Sequence, residues 1–457
     1  MADQPKTPPF PRRLAVPMVI GAVLNPVNTS IIAVALVPIG VALGAPADET
    51  AWLISALFIA TAVGQPLAGR LADTLGPRRL YLAGAILTVV AGVIGALAPT
   101  IWVLVGARVV LGLGTSAAYP ASIAMLGQES RRSGRPTPGS VLTLLAIAGQ
   151  TVAVVGPTLG GALIELGGWR ATLALNVPLG LLSLILGVLW LPRDRPRGTG
   201  TGAGPRVDVV GVLLFTVTLV TILIFIKQPS AIGLWLLVVA VAAAACFVAR
   251  ELRTVDPFID LRVLAGSGQL LVVYLQMFLS AIVTYSFIFG FTQWLEGGRG
   301  LSPAVAGLIL LPSFASGLLI AAVTGRSKRF RGKLVVSAVA QIVGVIMLLL
   351  VRDGAELWYL ILIAIVMGIP QGLVNVGTQS AVYELADQEK LGAAAGLLRA
   401  FMYLGAITSS ALGGIAFSGG HGADQLRLLS VMMLTSALLF GVLLFARRPG
   451  QPAVARD

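Results

Sequence analysis

Residues 51–79 read AWLISALFIATAVGQPLAGRLADTLGPRR. An apolar run close to the roughly 20 residues that cross a bilayer ends in Gly69-Arg70, and a short charged turn closes on Arg78 and Arg79. More than half the chain later, residues 304–333 read AVAGLILLPSFASGLLIAAVTGRSKRFRGK. Again a run of spanning length ends in Gly-Arg, here Gly325-Arg326, followed by a basic loop with a further glycine. Such a repeat predicts two related halves with a site between them near the bilayer midplane, a common transporter plan.

Composition sets the class. Of 457 residues, 57% are hydrophobic and 11% charged, where a soluble chain carries about a quarter. Mean hydropathy is +0.93. Apolar runs recur from end to end, so the chain reads as an all-α integral membrane protein. A lipid-spanning barrel would show short alternating segments instead. The net charge of +13 invites a nucleic-acid partner, but the basic residues form short clusters between apolar runs, as membrane topology requires. No nucleic-acid partner is expected. A single cysteine, Cys246, rules out an internal disulfide, and a single histidine, His421, argues against a His-based metal site. No metal or cofactor is expected; a proton gradient is the one driving force considered. The chain carries no HExxH, no intramembrane aspartate pair and no Ser/His pairing, so no enzyme is expected.

Fourteen spans are predicted, from 15–43, long enough to be tilted or broken, to 428–446. Basic residues orient them. With the N-terminus in the cytoplasm, that side collects all 32 Lys and Arg except Arg170, Lys227, Arg299, Arg352, Arg427 and the intraspan Arg108 and Arg399. Both termini are therefore expected inside. The order is a tail at 1–14, a six-helix bundle at 15–192, a Gly/Arg-rich linker at 193–207 and two inserted helices at 208–249. A linker at 250–267, a second six-helix bundle at 268–446 and a tail at 447–457 complete it. The first 13 residues lack the apolar region of a cleaved signal.

Four segments carry more than hydropathy. GRLADTLGPRR (69–79) places Gly69, Arg70, Asp73, Gly76 and Arg78 in one tight charged turn. It resembles motif A of the major facilitator superfamily. That resemblance implies a latch on the cytoplasmic side, with Arg70, Asp73 and Arg78 making or breaking contacts to the other half. In LVGARVVLGLGTSAAYP (104–120), Arg108 lies about 10 Å inside its span at 1.5 Å per residue. A charge at a helix centre costs roughly 2.5–3.5 kcal/mol on insertion scales, so Arg108 either snorkels to the interface or faces a cavity. Its spacing to Gly112 and Gly114 is similar to motif B, in which the arginine faces the central cavity. GQTVAVVGPTLGG (149–161) holds Gly156, Pro157, Gly160 and Gly161, small residues that let helices approach and slide. It resembles motif C, associated with antiporters. GWRATLALNVPLG (168–180), RVDVVGVLL (206–214), LSPAVAG (301–307) and GLLRAFMYLGAITSSALGG (396–414) are similar to segments of the fourteen-span drug:proton antiporter branch. The implied fold is the major facilitator fold with fourteen helices arranged 6+2+6.

In the first span, LNPVNTSIIAVAL (24–36) departs from that branch. Asn28 stands where the branch commonly has an aspartate, so the polar group stays and the charge is lost. Asn25 and Asn28, three apart, share a helix face. None of the acids falls deep inside a predicted span; Asp73, Glu165, Asp208 and Glu296 sit at span ends and the others in loops or tails. Proton antiport normally needs a carboxylate whose pKa burial can shift, and Glu165 is the least poor candidate. The expected substrate cavity is built from Asn25, Asn28, Arg108, Gln150, Tyr285 and Asn375. With Arg108 as its main charge it suits neutral, amphipathic or anionic molecules. The resemblance implies a secondary transporter of the bacterial cytoplasmic membrane that works as a monomer and exports small hydrophobic or amphipathic molecules by alternating access. A lipid or lysolipid carrier, a proton-independent facilitator and a non-transporting sensor on the same fold are the alternatives.

Overall fold

The computed structural model describes residues 12–133, 148, 155–194, 208–227, 231–254, 257–259, 261–262, 268–324, 330–352, 354–386 and 391–445. Every regular element among them is helical. In lipid a helix satisfies its own backbone groups, and an open strand cannot. In chain order the helices are α1 (Arg12–Ile31), α2 (Leu36–Leu43), α3 (Ala47–Leu75), α4 (Pro77–Ala96), α5 (Ile101–Ser133), α6 (155–167), α7 (Trp169–Ala174) and α8 (Asn176–Trp190). They continue as α9 (Val209–Lys227), α10 (Ala231–Arg253), α11 (Gly268–Ser286), α12 (Pro303–Thr324), α13 (Phe330–Leu349), α14 (Leu357–Leu385), α15 (Leu391–Ala416) and α16 (Ala423–Phe445).

Among the described residues, 12 helical stretches are long and apolar enough to cross a membrane, and Val209–Phe225 is a shorter apolar helix. The sequence predicts fourteen spans. One of these, 140–164, lies partly outside the described residues, which resume as helix at 155. The first span is broken rather than tilted whole. A 3-10 turn at Ile32–Val34 separates α1 from α2, and Gly44, at φ 64°, ends α2 in the left-handed conformation. Beyond Ser286, α11 runs into two π-helical turns, Phe287–Phe291 and Trp294–Gly298.

The outer faces are apolar. Ile86, Val90, Val93 and Ile94 of α4 and Val335, Val336, Val339 and Val343 of α13 are exposed. Stripes of this kind fit lipid contact and would be an aggregation liability in water. Inside, small residues set the spacing. A Cβ on Gly84 would lie 2.6 Å from the Gly114 carbonyl, which locks α4 onto α5, and Gly372 approaches the Gly317 backbone where α14 crosses α12.

Contacts sort the helices into two sets. One contains α1, α3, α4, α5, α7 and α8, and the other α11 to α16. They meet where α3 packs on α15 and where α6 packs on α12. The pair α9–α10 packs on itself, joined by Phe215 and Phe247 with ring centroids 5.4 Å apart. Its first helix also lies against both α3 and α15, across the seam between the sets.

Candidate functional site

The two sets meet tightly at one end, called here the sealed end. Gly161 has no room for a side chain, because a Cβ there would strike the Ala304 backbone. Gly307 is in the same position against the Pro157 carbonyl, with its own Cβ site 2.5 Å away. Thr158 Oγ1 donates to the Gly307 carbonyl at 3.3 Å, and Ser302 Oγ donates to Glu165 Oε1 at 2.9 Å. Gly156 and Gly160 turn the other way and pack on Ser30, Ile31 and Val34. The segment resembling motif C is thus sandwiched between the first span and α12. On the neighbouring helices, Ser55 Oγ donates to Ser410 Oγ at 2.9 Å, and Ser410 Oγ to the Ala51 carbonyl at 2.6 Å.

Below the seal, Phe58 of α3 stands among aromatic rings of the other set. Its ring centroid is 5.1 Å from Tyr285, 6.4 Å from Phe289 and 6.0 Å from Tyr403. From this cluster toward the opposite, basic end extends a cavity of about 420 Å³ lined by helices of both sets. Asn25, Gln65, Thr115 and Tyr119 line it from one set, and Tyr285, Gln371, Asn375, Gln379, Arg399 and Tyr403 from the other. Asn25 Nδ2 donates to Thr115 Oγ1 at 3.2 Å and Thr61 Oγ1 at 3.4 Å. Two contacts cross between the sets. Gln65 Nε2 donates to the Tyr403 hydroxyl at 2.8 Å, and the Arg399 guanidinium sits 4.9 Å from the Tyr119 ring centroid.

Of the residues the sequence assigns to this cavity, Asn25, Tyr285 and Asn375 line it. Gln150 lies outside the described residues. Asn28 and Arg108 are not among the lining residues, a correction to the expectation. Both are buried behind the wall, at 4% and 1% exposure. Arg108 reaches two backbone carbonyls: Nε donates to Leu53 O at 3.0 Å, and Nη1 and Nη2 to Asn28 O at 3.4 Å. A long guanidinium with five donors can be satisfied by carbonyls alone, and that takes it away from the cavity. Asn28 pairs its amide reciprocally with Asn176, at 2.6 and 2.9 Å. Asn176 is 148 positions away in the chain, which hides the pair from a local reading.

The C-terminal end of the charged turn at 69–79 is held within its own set. Gly76 adopts φ 96°, and the Asp194 carboxylate closes on it, accepting from the backbone N–H of Arg78 and of Arg79 at 3.0 Å each. An acid at a helix N-terminus meets unpaired amides and the positive end of the helix dipole. Arg78 Nη2 donates to the Val188 carbonyl at 2.9 Å. Arg78 and the Arg79 amide are thus tied to α8 and the segment after it. Gly69 has open space beside it, while Gly112 is pressed onto Ala60 and the Leu57 carbonyl. Arg70 also makes contacts, and nothing is described of the Asp73 side chain.

The acids also need correcting. Three that the sequence places at span ends or in a linker are buried: Asp208 at 6%, Glu251 at 0% and Glu296 at 7% exposure. Arg250 pairs with Asp208 at 2.9 Å, and Glu251 Oε2 accepts from the Ile259 N–H at 2.8 Å. Neither oxygen of Glu296 has a partner among the described residues. Glu165 bonds to Ser302 on the surface. Among the described residues no cluster of His, Cys, Asp or Glu could hold a metal.

The helices, the lipid-facing stripes and the central cavity define a multi-pass membrane protein of the carrier type. The model of the Major Facilitator Superfamily matches residues 18–290 and 273–457, and the chain belongs to that family. It is 31% identical over 431 residues to the uncharacterized MFS-type transporter YwoD of Bacillus subtilis (strain 168), covering 91% of this chain and 92% of that protein. It is 28% identical to the multidrug efflux pump LfrA of Mycolicibacterium smegmatis, with 89% and 80% covered. To the methylenomycin A resistance protein of Streptomyces coelicolor it is 27% identical, with 92% and 89% covered. Among solved structures, the POT family transporter PepTSo superposes with a TM-score of 0.68 at 13% identity, covering 96% of this chain and 99% of that one. The nucleoside transporter NupG gives 0.63 at 15%, with 96% and 99% covered. At such identities these two speak to the fold alone.

Proposed function

We propose that this chain is a secondary transporter that exports hydrophobic or amphipathic small molecules from a bacterial cytoplasm by alternating access. The observation that carries this reading is a cavity walled by both helical sets and stopped on one side by the tight seal. Basic loops assign the seal to the outer face, with both termini inside. The proposed architecture is 6+2+6, with α9 and α10 as the insert and 15–192 and 268–446 as the rocking bundles of a functional monomer. Efflux relatives support the direction of transport.

Everted vesicles energised to an acidic interior test this reading. A neutral amphiphile supplied outside is expected to accumulate uphill, and a protonophore to abolish the accumulation. Downhill flux that a protonophore does not alter would favour a second reading, a proton-independent facilitator, for which Asn28 in place of an aspartate is the supporting observation. No flux of any amphiphile, with the protein present in the vesicles, would favour the non-transporting sensor.

A further inference from the structure

Arg399 is the one ionised side chain among the described residues that line the cavity, and no Asp or Glu lies among them. It is partly buried, has no ion pair or hydrogen bond among the described residues, and lies over the face of Tyr119. This sets it apart from Arg108, whose donors are taken up by carbonyls. A cation over an aromatic ring is partly compensated, yet all five of its N–H donors remain available for a planar anion. Away from bulk water, an anion beside such a group is favoured and a second cation is opposed more strongly than in solution. One step along the same wall, Phe58, Tyr285 and Tyr403 form an aromatic patch, backed by the buried Phe289. Head and body of an amphiphile therefore find different surfaces in one cavity.

We propose that the cavity selects amphipathic molecules bearing a single anionic head, with Arg399 as the counter-ion and the aromatic cluster as the seat of the apolar body. The proposal rests on the reading of this cavity as the transport site. A ligand with two positive charges has no acid to meet it there. The uncharged amides of Gln371, Asn375 and Gln379 add hydrogen-bonding capacity without changing the sign of the field.

The test uses three fluorescent probes with one body and different heads: pyrenebutyrate, pyrenebutanol and pyrenebutylamine. Their binding to the full chain in neutral-lipid nanodiscs is measured by anisotropy. The acid is expected to bind about 10- to 100-fold more tightly than the alcohol, the span of a charge-assisted hydrogen bond, and the amine more weakly than either. Arg399→Gln should collapse the acid-to-alcohol ratio toward one, while Arg399→Lys should keep most of it and so guards against a folding artefact. Equal binding of acid and alcohol to the unaltered protein would overturn the anion preference and leave the cavity reading standing. Binding of none of the three would overturn both. A ratio unchanged in Arg399→Gln would remove Arg399 from the assignment. Competition by lysophosphatidate against pyrenebutyrate separates the two sources of such a ligand: displacement assigns the anion site to a lipid, and persistence assigns it to water-soluble acids.

Discussion

The sealed end and the basic end of the molecule are built from different chemistry. Where the two helical sets close on each other, most contacts are neutral, glycine against backbone and hydroxyl against hydroxyl or carbonyl, with one exposed bond from Ser302 to the Glu165 carboxylate. At the basic end the firm contacts involve charge: Asp194 on the amides of Arg78 and Arg79, Arg78 on Val188, Arg250 on Asp208. Each of these stays within one set or within the inserted pair. Interhelical hydrogen bonds in membranes average about 0.6 kcal/mol, whereas hydrogen bonds to charged groups reach roughly 1.5–3 kcal/mol. In the alternating-access reading, most contacts to be broken and remade are the weak neutral ones, while the charged ones, apart from Ser302–Glu165 and Arg399–Tyr119, keep each unit rigid.

The largest expected effect breaks the seal itself. Gly161→Val would force side-chain atoms into the Ala304 backbone; overpacking of this kind costs about 1–3 kcal/mol, a shift of roughly 10- to 100-fold toward the open form. Maleimide labelling of a cysteine at Ser55, which is buried where α3 meets α15, in a Cys246→Ser background, should rise accordingly. Labelling no faster than with Gly161 would mean that closure does not depend on this contact. Next comes Arg108→Gln, which leaves Leu53 O and Asn28 O without their donors. Loss of a buried partner costs about 1–3 kcal/mol, so thermal stability of the purified protein should fall. The acid-to-alcohol preference assigned to Arg399 should be unchanged; its loss would return Arg108 to the cavity.

Asp194→Asn should cost about 1 kcal/mol, the scale of a lost helix cap, read as faster proteolysis of the 69–79 turn with no change at the sealed end. The smallest expected effect involves His421, whose ring packs on Gly297 and stacks on Phe417 at 5.7 Å. Burial lowers its pKa from the usual histidine value. A base with a lowered folded pKa contributes stability that is complete above the unfolded value of about 6.5 and is lost as pH falls below it. Acidification should therefore loosen the sealed end by about 2-fold in labelling, a fraction of a kcal/mol, and His421→Asn should flatten that response. The titratable and charged groups around it are the buried Glu296 and Arg299 on the facing turn and the exposed Asp424–Arg427 pair. A response that survives the substitution would remove His421 as its source.

Membrane-length helices and the family-like segments were legible because membrane helices are written as long apolar stretches punctuated by charge. What packs across the seam was not. Asn176 stood in a quoted segment, yet nothing local links it to Asn28. Arg399 was visible as an intraspan charge, and the depth argument applied to Arg108 applied to it equally. Which of the two faces the cavity depends on where carbonyls of neighbouring helices point. Burial of Glu251 depends on residues 257–259 folding back over the end of α10, and burial of Glu296 on the local winding of its helix, neither of which hydropathy encodes.

That winding has a consequence of its own. A π turn closes its ring one residue later than an α turn, so each acts as a one-residue insertion absorbed without breaking the helix. Two follow one another between Phe287 and Gly298. Removing a single residue from either would restore α winding and leave the helix beyond it facing as it does now, whereas removing one from the α-helical turns before Phe287 would rotate everything beyond by about 100° and swing Glu296 off its present face. Phase, rather than composition, sets what the outer third of this helix presents, and there a deletion scan would be more revealing than any substitution.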